Sequence, residues 1–173
     1  REKLHKKLQQ DIPEHVNKVE ILEDIDTLKI SGMLILNEIF DVLPVHLFQY
    51  QEGELFERKV HVADHTFALQ AKPFEDAKLK KTFENLLSPY KETWPQGYQG
   101  ELCLEAKTLM AKLGEILEQG YVFIHDYGDE GKEYYHPSRT QGSIRCFYQH
   151  QVLDNFFENI GQQDITASVN FTQ

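Results

Sequence analysis

Tyr121-Val122-Phe123-Ile124-His125-Asp126-Tyr127-Gly128 is the stretch that decides the fold. Aromatic and β-branched residues suited to a strand give way to an acid, a tyrosine and a glycine. A parallel strand hands its chain to a loop at the carboxyl edge of a sheet in this way. Before it, Leu102, Ala106, Leu109, Leu113 and Leu117 recur at spacings of three or four. The spacing predicts a helix over residues 102–117, with Gly120 as its stop. Farther upstream, Gly32-Met33-Leu34-Ile35-Leu36 is a continuous apolar run ending at Asn37-Glu38, which reads as a parallel strand buried on both faces. Strands over 32–36 and 121–126, with a covering helix between them, predict a doubly wound α/β sheet whose ligands collect at the strands' carboxyl ends.

The flanking sequence is read by the same periods. Residues 1–10 predict a helix, with Leu4 and Leu8 on one face and Pro13 as the stop. Residues 19–22 predict a short strand, and Ile25 and Leu28 are placed against the sheet edge. Residues 39–44 predict one helical turn ending at Pro44. Residues 45–51 and 55–61, joined through Glu52-Gly53-Glu54, predict a β-hairpin, and 67–70 a third strand. Residues 45–70 are accordingly read as a hairpin insertion within one domain spanning 1–173. A helix is predicted over 75–87, then a loop over 88–99 carrying Tyr90, Trp94 and Tyr98. Beyond the decisive strand the pattern predicts a helix over 149–157 and a strand over 165–171.

Composition narrows the functions. At 173 residues and 40% hydrophobic content the chain can bury a core of its own. Its 28 acidic against 18 basic residues give a net charge of -10, so no basic footprint for nucleic acid is expected, and a small or cationic substrate fits better. No apolar run reaches the length of a membrane-spanning helix, and no membrane partner is expected. Cys103 and Cys146 stand apart without metal-binding or disulfide spacing; no metal is expected. The sequence lacks a glycine-rich strand-to-helix turn, a serine nucleophile elbow and an HExxH motif.

Candidate chemistry gathers at the predicted strand ends. Glu38 and Asp41 fall three residues apart on a turn, and two carboxylates there would hold a guanidinium; the alternative is that Asn37 and Glu38 cap or brace the loop. Asp126 and Tyr127 end the other strand, with His125 read as a structural member of it. Tyr134, Tyr135, His136 and Arg139 crowd one loop, either lining a cleft or plugging the loop onto the core, and Arg145 and His150 add further switchable or positive groups.

Three separated stretches carry a specific likeness. They are the run from Gly32 through Asn37, Glu38, Asp41 and Pro44 to Val45; Ile124-His125-Asp126-Tyr127-Gly128 with Glu133-Tyr134-Tyr135-His136-Pro137-Ser138-Arg139 and Gly142-Ser143-Ile144-Arg145-Cys146-Phe147-Tyr148; and residues 161–172. In this order they resemble the MidA-like S-adenosylmethionine-dependent methyltransferases, a family that includes the mitochondrial complex I assembly factor that methylates an arginine. The resemblance implies a class I, Rossmann-like methyltransferase fold, S-adenosylmethionine as donor without a metal, and a protein arginine as acceptor. It implies Glu38, Asp41, Asp126 and Tyr127 as catalytic residues and Asp24, Asn37 and Glu38 on the cofactor side. Tyr134, Tyr135, His136, Arg139 and Arg145 fall on the substrate side. Departures are small: His125 stands where the family most often has isoleucine or leucine, and Ser143 where it usually has threonine.

The chain opens on Arg1 rather than methionine, and the likeness implies a central to C-terminal-side portion without the earlier cofactor turn. The expectation is that this portion alone has no turnover, and that its open sheet edge pairs by dimerisation or strand exchange. The compartment implied is cytoplasmic for a bacterial protein and the mitochondrial matrix for a eukaryotic one. The rival function is an assembly or scaffold module that keeps the fold and docks a partner through residues 134–145. A dinucleotide enzyme is disfavoured for want of its glycine fingerprint.

Overall fold

A computed structural model describes residues 2–153 and 155–173. In chain order it holds α1 (Glu2–Asp11), β1 (Ile30–Asn37), β2 (His46–Gln51), β3 (Glu54–Ala63), β4 (Thr66–Lys72), α2 (Ala77–Leu87), β5 (Tyr98–Leu102), α3 (Glu105–Ile116) and β6 (Leu117–His125). Then come β7 (Gly128–Asp129), α4 (Gly131–Tyr134), β8 (Arg145–Tyr148), β9 (Gln151–Leu153), β10 (Asp164–Thr166) and β11 (Val169–Asn170). Among the described residues no helix is long and apolar enough to cross a membrane.

The expected parallel pair is present. β1 lies beside β6 in register from Ser31 opposite Gln119 to Asn37 opposite His125. α3 covers one face, where Phe40, Leu113 and Ile116 form a small core with Leu34, Leu36 and Val122. Ile25 and Leu28 pack on the same core, as the sequence placed them. The reading of β1 as buried on both faces is corrected, because only the face toward α3 is covered. Met33, Ile35, Tyr121 and Phe123 stand on the other face at 51–74% exposure. They form two cross-strand pairs, Met33 with Tyr121 and Ile35 with Phe123.

Between the two parallel strands the chain builds an antiparallel sheet of order β4-β3-β2-β5. The hairpin read over 45–70 supplies three of its strands. Two-residue left-handed turns close it, at Glu52-Gly53 (φ 53° and 83°) and Asp64-His65 (φ 48° and 63°). The fourth strand corrects two readings at once. Tyr98 is not in a loop and Leu102 is not in a helix; both lie in β5 and are buried. Gly100 is needed there, since a Cβ would stand 2.7 Å from the Phe48 ring. The core of this sheet gathers Phe48, Phe83, Leu87, Trp94 and Tyr98, with Trp94 and Tyr98 stacked at 4.3 Å. α2 starts at an Asp76 carboxylate that accepts from Lys78 N and Leu79 N.

Other boundaries also move. α3 is shorter than 102–117 at both ends, because Leu117 already belongs to β6. Gly120 is no helix stop. It sits inside β6 at φ 138°, opposite Gly32, where a Cβ would fall 1.7 Å from the Gly32 carbonyl oxygen. Residues 19–22 form no strand. The helix over 149–157 is overturned: Gln149 and His150 take φ 48° and 64°, a left-handed turn that folds β9 back on β8. Asp154 in that stretch, like Arg1 in the first helix, lies outside the described residues. The strand over 165–171 divides, β10 pairing antiparallel with β8 and β11 parallel with β7.

Two glycines separate the constraint from the mere residue type. Gly120→Ala meets both a left-handed backbone and the Gly32 carbonyl, and is expected to cost at least about 3 kcal/mol. Gly114→Ala, in α3 with open space around it, is expected to gain about 0.5–1 kcal/mol. Denaturant unfolding followed by circular dichroism reads both; equal effects would remove the Gly32–Gly120 constraint.

Candidate functional site

The carboxyl ends of β1 and β6 are joined by Asp126. Its Oδ2 accepts from Phe40 N (2.9 Å) and Asp41 N (3.3 Å), and its Oδ1 from Tyr127 N (3.0 Å). The turn after β1 is thereby held against the end of β6. Glu38 adopts φ 49° and donates its N–H to the His125 carbonyl at 2.8 Å. Its side chain is exposed, while Asn37 Oδ1 and His125 Nδ1 lie 2.9 Å apart beside it.

Asp41 behaves differently from Glu38. It is only 3% exposed; its Oδ2 accepts from the Tyr127 hydroxyl at 2.7 Å, and its Oδ1 is buried without a partner. Burial and the neighbouring Asp41 push the Tyr127 hydroxyl up to about 12, with Thr166 opposing. Tyr127 is therefore a neutral donor over the physiological range. Glu38, Tyr127, Arg145, Phe147, Asp164 and Thr166 surround a cavity of about 350 Å³. Tyr127 and Arg145 also face a second cavity of about 500 Å³, which Arg139 and Ser138 share.

The structure thus gathers Glu38, Asp41, Asp126, Tyr127 and Arg145, with Arg139 next door on an ion pair to Asp129 of 2.7 Å. Tyr134 and Tyr135 are buried in the aromatic core rather than in a cavity wall. His136 is exposed, its Nδ1 2.7 Å from Ser138 Oγ. Asp24 lies at the opposite end of the parallel pair. Its neighbours Asp26 and Lys29 reach Lys112 and the Glu115 carbonyl at the end of α3, beside the amino ends of β1 and β6.

A residue that the sequence reading passed over holds this region together. Glu101, 2% exposed on β5, accepts at Oε1 from the Tyr134 hydroxyl (2.7 Å), Ser143 N (3.0 Å) and Ser143 Oγ (2.6 Å). Its carbonyl accepts from the Tyr135 hydroxyl at 3.1 Å, and Ser143 Oγ accepts in turn from Ser168 N at 2.9 Å. One carboxylate thus joins β5, α4, the loop before β8 and the link between β10 and β11. Gly142, at φ 72°, is required beside it, as a Cβ would come within 2.2 Å of Oε2. Burial of three successive residues, Gly100, Glu101 and Leu102, breaks the alternation of a strand, so no local period in the sequence marks Glu101.

Comparison with known proteins supplies the family. Residues 1–173 match the profile described as "putative S-adenosyl-L-methionine-dependent methyltransferase". The chain belongs to that methyltransferase family. A crystal structure of a COG1565 superfamily protein from Burkholderia thailandensis superposes with a TM-score of 0.86 at 30% identity, covering 96% of this chain and 43% of its own. A second from the same organism, bound to S-adenosyl-homocysteine, superposes at 0.85 and 30% identity, over 96% of this chain and 41% of its own. The mitochondrial protein arginine methyltransferase NDUFAF7 homolog of Drosophila melanogaster is 27% identical over 147 residues, 81% of this chain and 30% of that protein. The chain therefore spans less than half the length of the relatives it matches. Its parallel pair with covering helix is part of a Rossmann-like methyltransferase fold.

The residues present fit one side of the methyltransferase cofactor. Asn37 and Glu38 place acceptor oxygens at the carboxyl edge of parallel strands, suited to ribose hydroxyls or an amino group. Among the described residues no glycine-rich turn offers backbone amides to its carboxylate tail.

In this family member, burial pushes the Glu101 carboxyl above the usual carboxylate range, against the donations of Ser143 and Tyr134. The folded chain therefore gives up the carboxyl proton at higher pH than the unfolded chain does. The associated stability is full below the unfolded value and is lost as pH rises through the raised folded value. Glu101→Gln, which mimics the protonated form, should therefore gain on the wild type in melting temperature between pH 5 and pH 8. Glu101→Ala strands buried donors and should lose about 3 kcal/mol at both. A wild-type-to-Gln difference that is flat with pH would show a carboxylate ionised in both states.

Proposed function

We propose that the complete protein transfers a methyl group from S-adenosylmethionine to a guanidinium nitrogen of a protein arginine, with the acceptor held in the cavity of Glu38, Tyr127 and Asp164. The observation carrying this reading is the exposed Glu38 carboxylate at the carboxyl edge, which lines one cavity with Asp164 and with Tyr127, itself held by buried Asp41. The similarity to the Drosophila protein arginine methyltransferase supports the acceptor class. By the same likeness, the compartment is the mitochondrial matrix if the protein is eukaryotic; for a bacterial protein it is the cytoplasm.

When bound, the cofactor supplies an electrophilic methyl on a sulfonium. Glu38 Oε1 and Oε2 accept two parallel N–H bonds from the guanidinium, which fixes its plane as well as its charge. Glu38 is also placed to take the proton that the reacting nitrogen releases. Tyr127, neutral and tied to Asp41 Oδ2, forms a rigid wall rather than a base. Asp126 acts at one remove, by setting the turn that carries Glu38 and Asp41.

Full-length protein is expected to bind S-adenosylmethionine in calorimetric titration and to pass labelled methyl groups to arginine peptides. Glu38→Gln should lower kcat ten- to a thousandfold, about 1.4–4 kcal/mol, with little change in melting temperature. Near-normal turnover with a lowered melting temperature would make Glu38 a turn residue. Full-length protein that binds no cofactor would leave the fold to a scaffold role.

A further inference from the structure

The two cavities that share Tyr127 and Arg145 differ in charge. Glu38 and Asp164 wall the smaller, whereas Arg139 and Arg145 face the larger beside the hydroxyls of Ser138, Thr140 and Ser143. The larger has one carboxylate in its lining, Asp129, already engaged by Arg139 at 2.7 Å. Arg145 has no ion pair among the described residues, on a chain whose net charge is -10. Its backbone is fixed from both sides. Ser143 is pinned by Glu101, Cys146 is buried in β8, and Arg145 pairs with Thr166 of β10.

An arginine that lines the guanidinium site without an ion pair among the described residues is a difficulty for a substrate of positive charge alone, because like charges repel across a cavity of this size. A carboxylate from the substrate itself removes it. We propose that the larger cavity is a subsite for a carboxylate next to the methylated residue, so that the preferred acceptor is an arginine flanked by aspartate or glutamate. Arg145 takes this carboxylate, with two parallel N–H donors matching its two oxygens, and the serine and threonine hydroxyls complete the lining. Because the two cavities have a wall in common, the flanking acid belongs about one to three residues from the arginine, at roughly 3.5 Å per residue. The inference rests on the methyl-transfer reading of the smaller cavity.

The test uses full-length protein and three peptide series, with the arginine flanked by acidic, neutral or lysine residues. Peptide binding is read by fluorescence anisotropy and methyl transfer by label incorporation. Acidic flanks should bind at least tenfold more tightly than neutral ones, with the gain in KM rather than kcat. Arg145→Ala should bring that ratio within twofold, and Arg145→Glu should turn it toward lysine flanks. Arg145 is exposed, so melting temperatures should stay within a few degrees; if a variant does not fold, the wild-type peptide ratio decides alone. Equal binding of all three series overturns the subsite, even where methyl transfer proceeds. A binding preference without any methyl transfer keeps the subsite and removes the catalytic reading.

Discussion

Asp126 takes three backbone amides onto one carboxylate, and the rest of the site depends on that capture. Parallel strands end without a hairpin to tie them, so their last residues are free to diverge unless something bridges them. Here the bridge is an acid at the end of β6 that accepts from the turn following β1. Phe40 is thereby turned into the core of Leu113 and Ile116, and Asp41 is turned onto Tyr127. Glu38, one step before the turn, is left at the surface in a left-handed conformation. The carboxylates at the strand ends thus do different work: one builds the turn, one buttresses a tyrosine, and one faces solvent.

The second buried carboxylate, Glu101, works at longer range. It comes from the antiparallel sheet inserted between the two parallel strands, yet its donors belong to α4 and the loop before β8. The insertion is therefore not an appendage to the sheet. Through Ser143 and Ser168 it reaches the segment that carries Arg145 and Thr166, so the inserted sheet and the cavity walls form one hydrogen-bonded body.

The parts legible in the sequence are those set by local period. The apolar runs at 32–36 and 121–125, the stripe through Ala106, Leu109 and Leu113, and the hairpin around Gly53 each carry their own signal, and each is present. What escaped is set by partners far away in the chain. Leu102 satisfies a helical spacing with Ala106 but is claimed by pairing with His46. Gly120 has the look of a helix stop, yet its reason is a carbonyl 88 residues earlier. Glu101 reads as a solvated acid until Tyr134 and Ser143, 33 and 42 residues downstream, close over it. In the candidate site, the strand-end acids were visible; which of them is buried was not, since burial of Asp41 follows from Tyr127 folding across it.

The uncovered face of Met33, Ile35, Tyr121 and Phe123 bears on how the molecule is handled. Four large apolar side chains in two facing pairs offer a flat platform for environment-sensitive dyes, which ordinarily report loosened tertiary packing. The chain at these bounds would fluoresce with such a dye while fully folded, which raises the background against which unfolding is read. Dye-based thermal scans would then lose contrast, so thermal unfolding is better followed through the near-ultraviolet signal of stacked Trp94 and Tyr98.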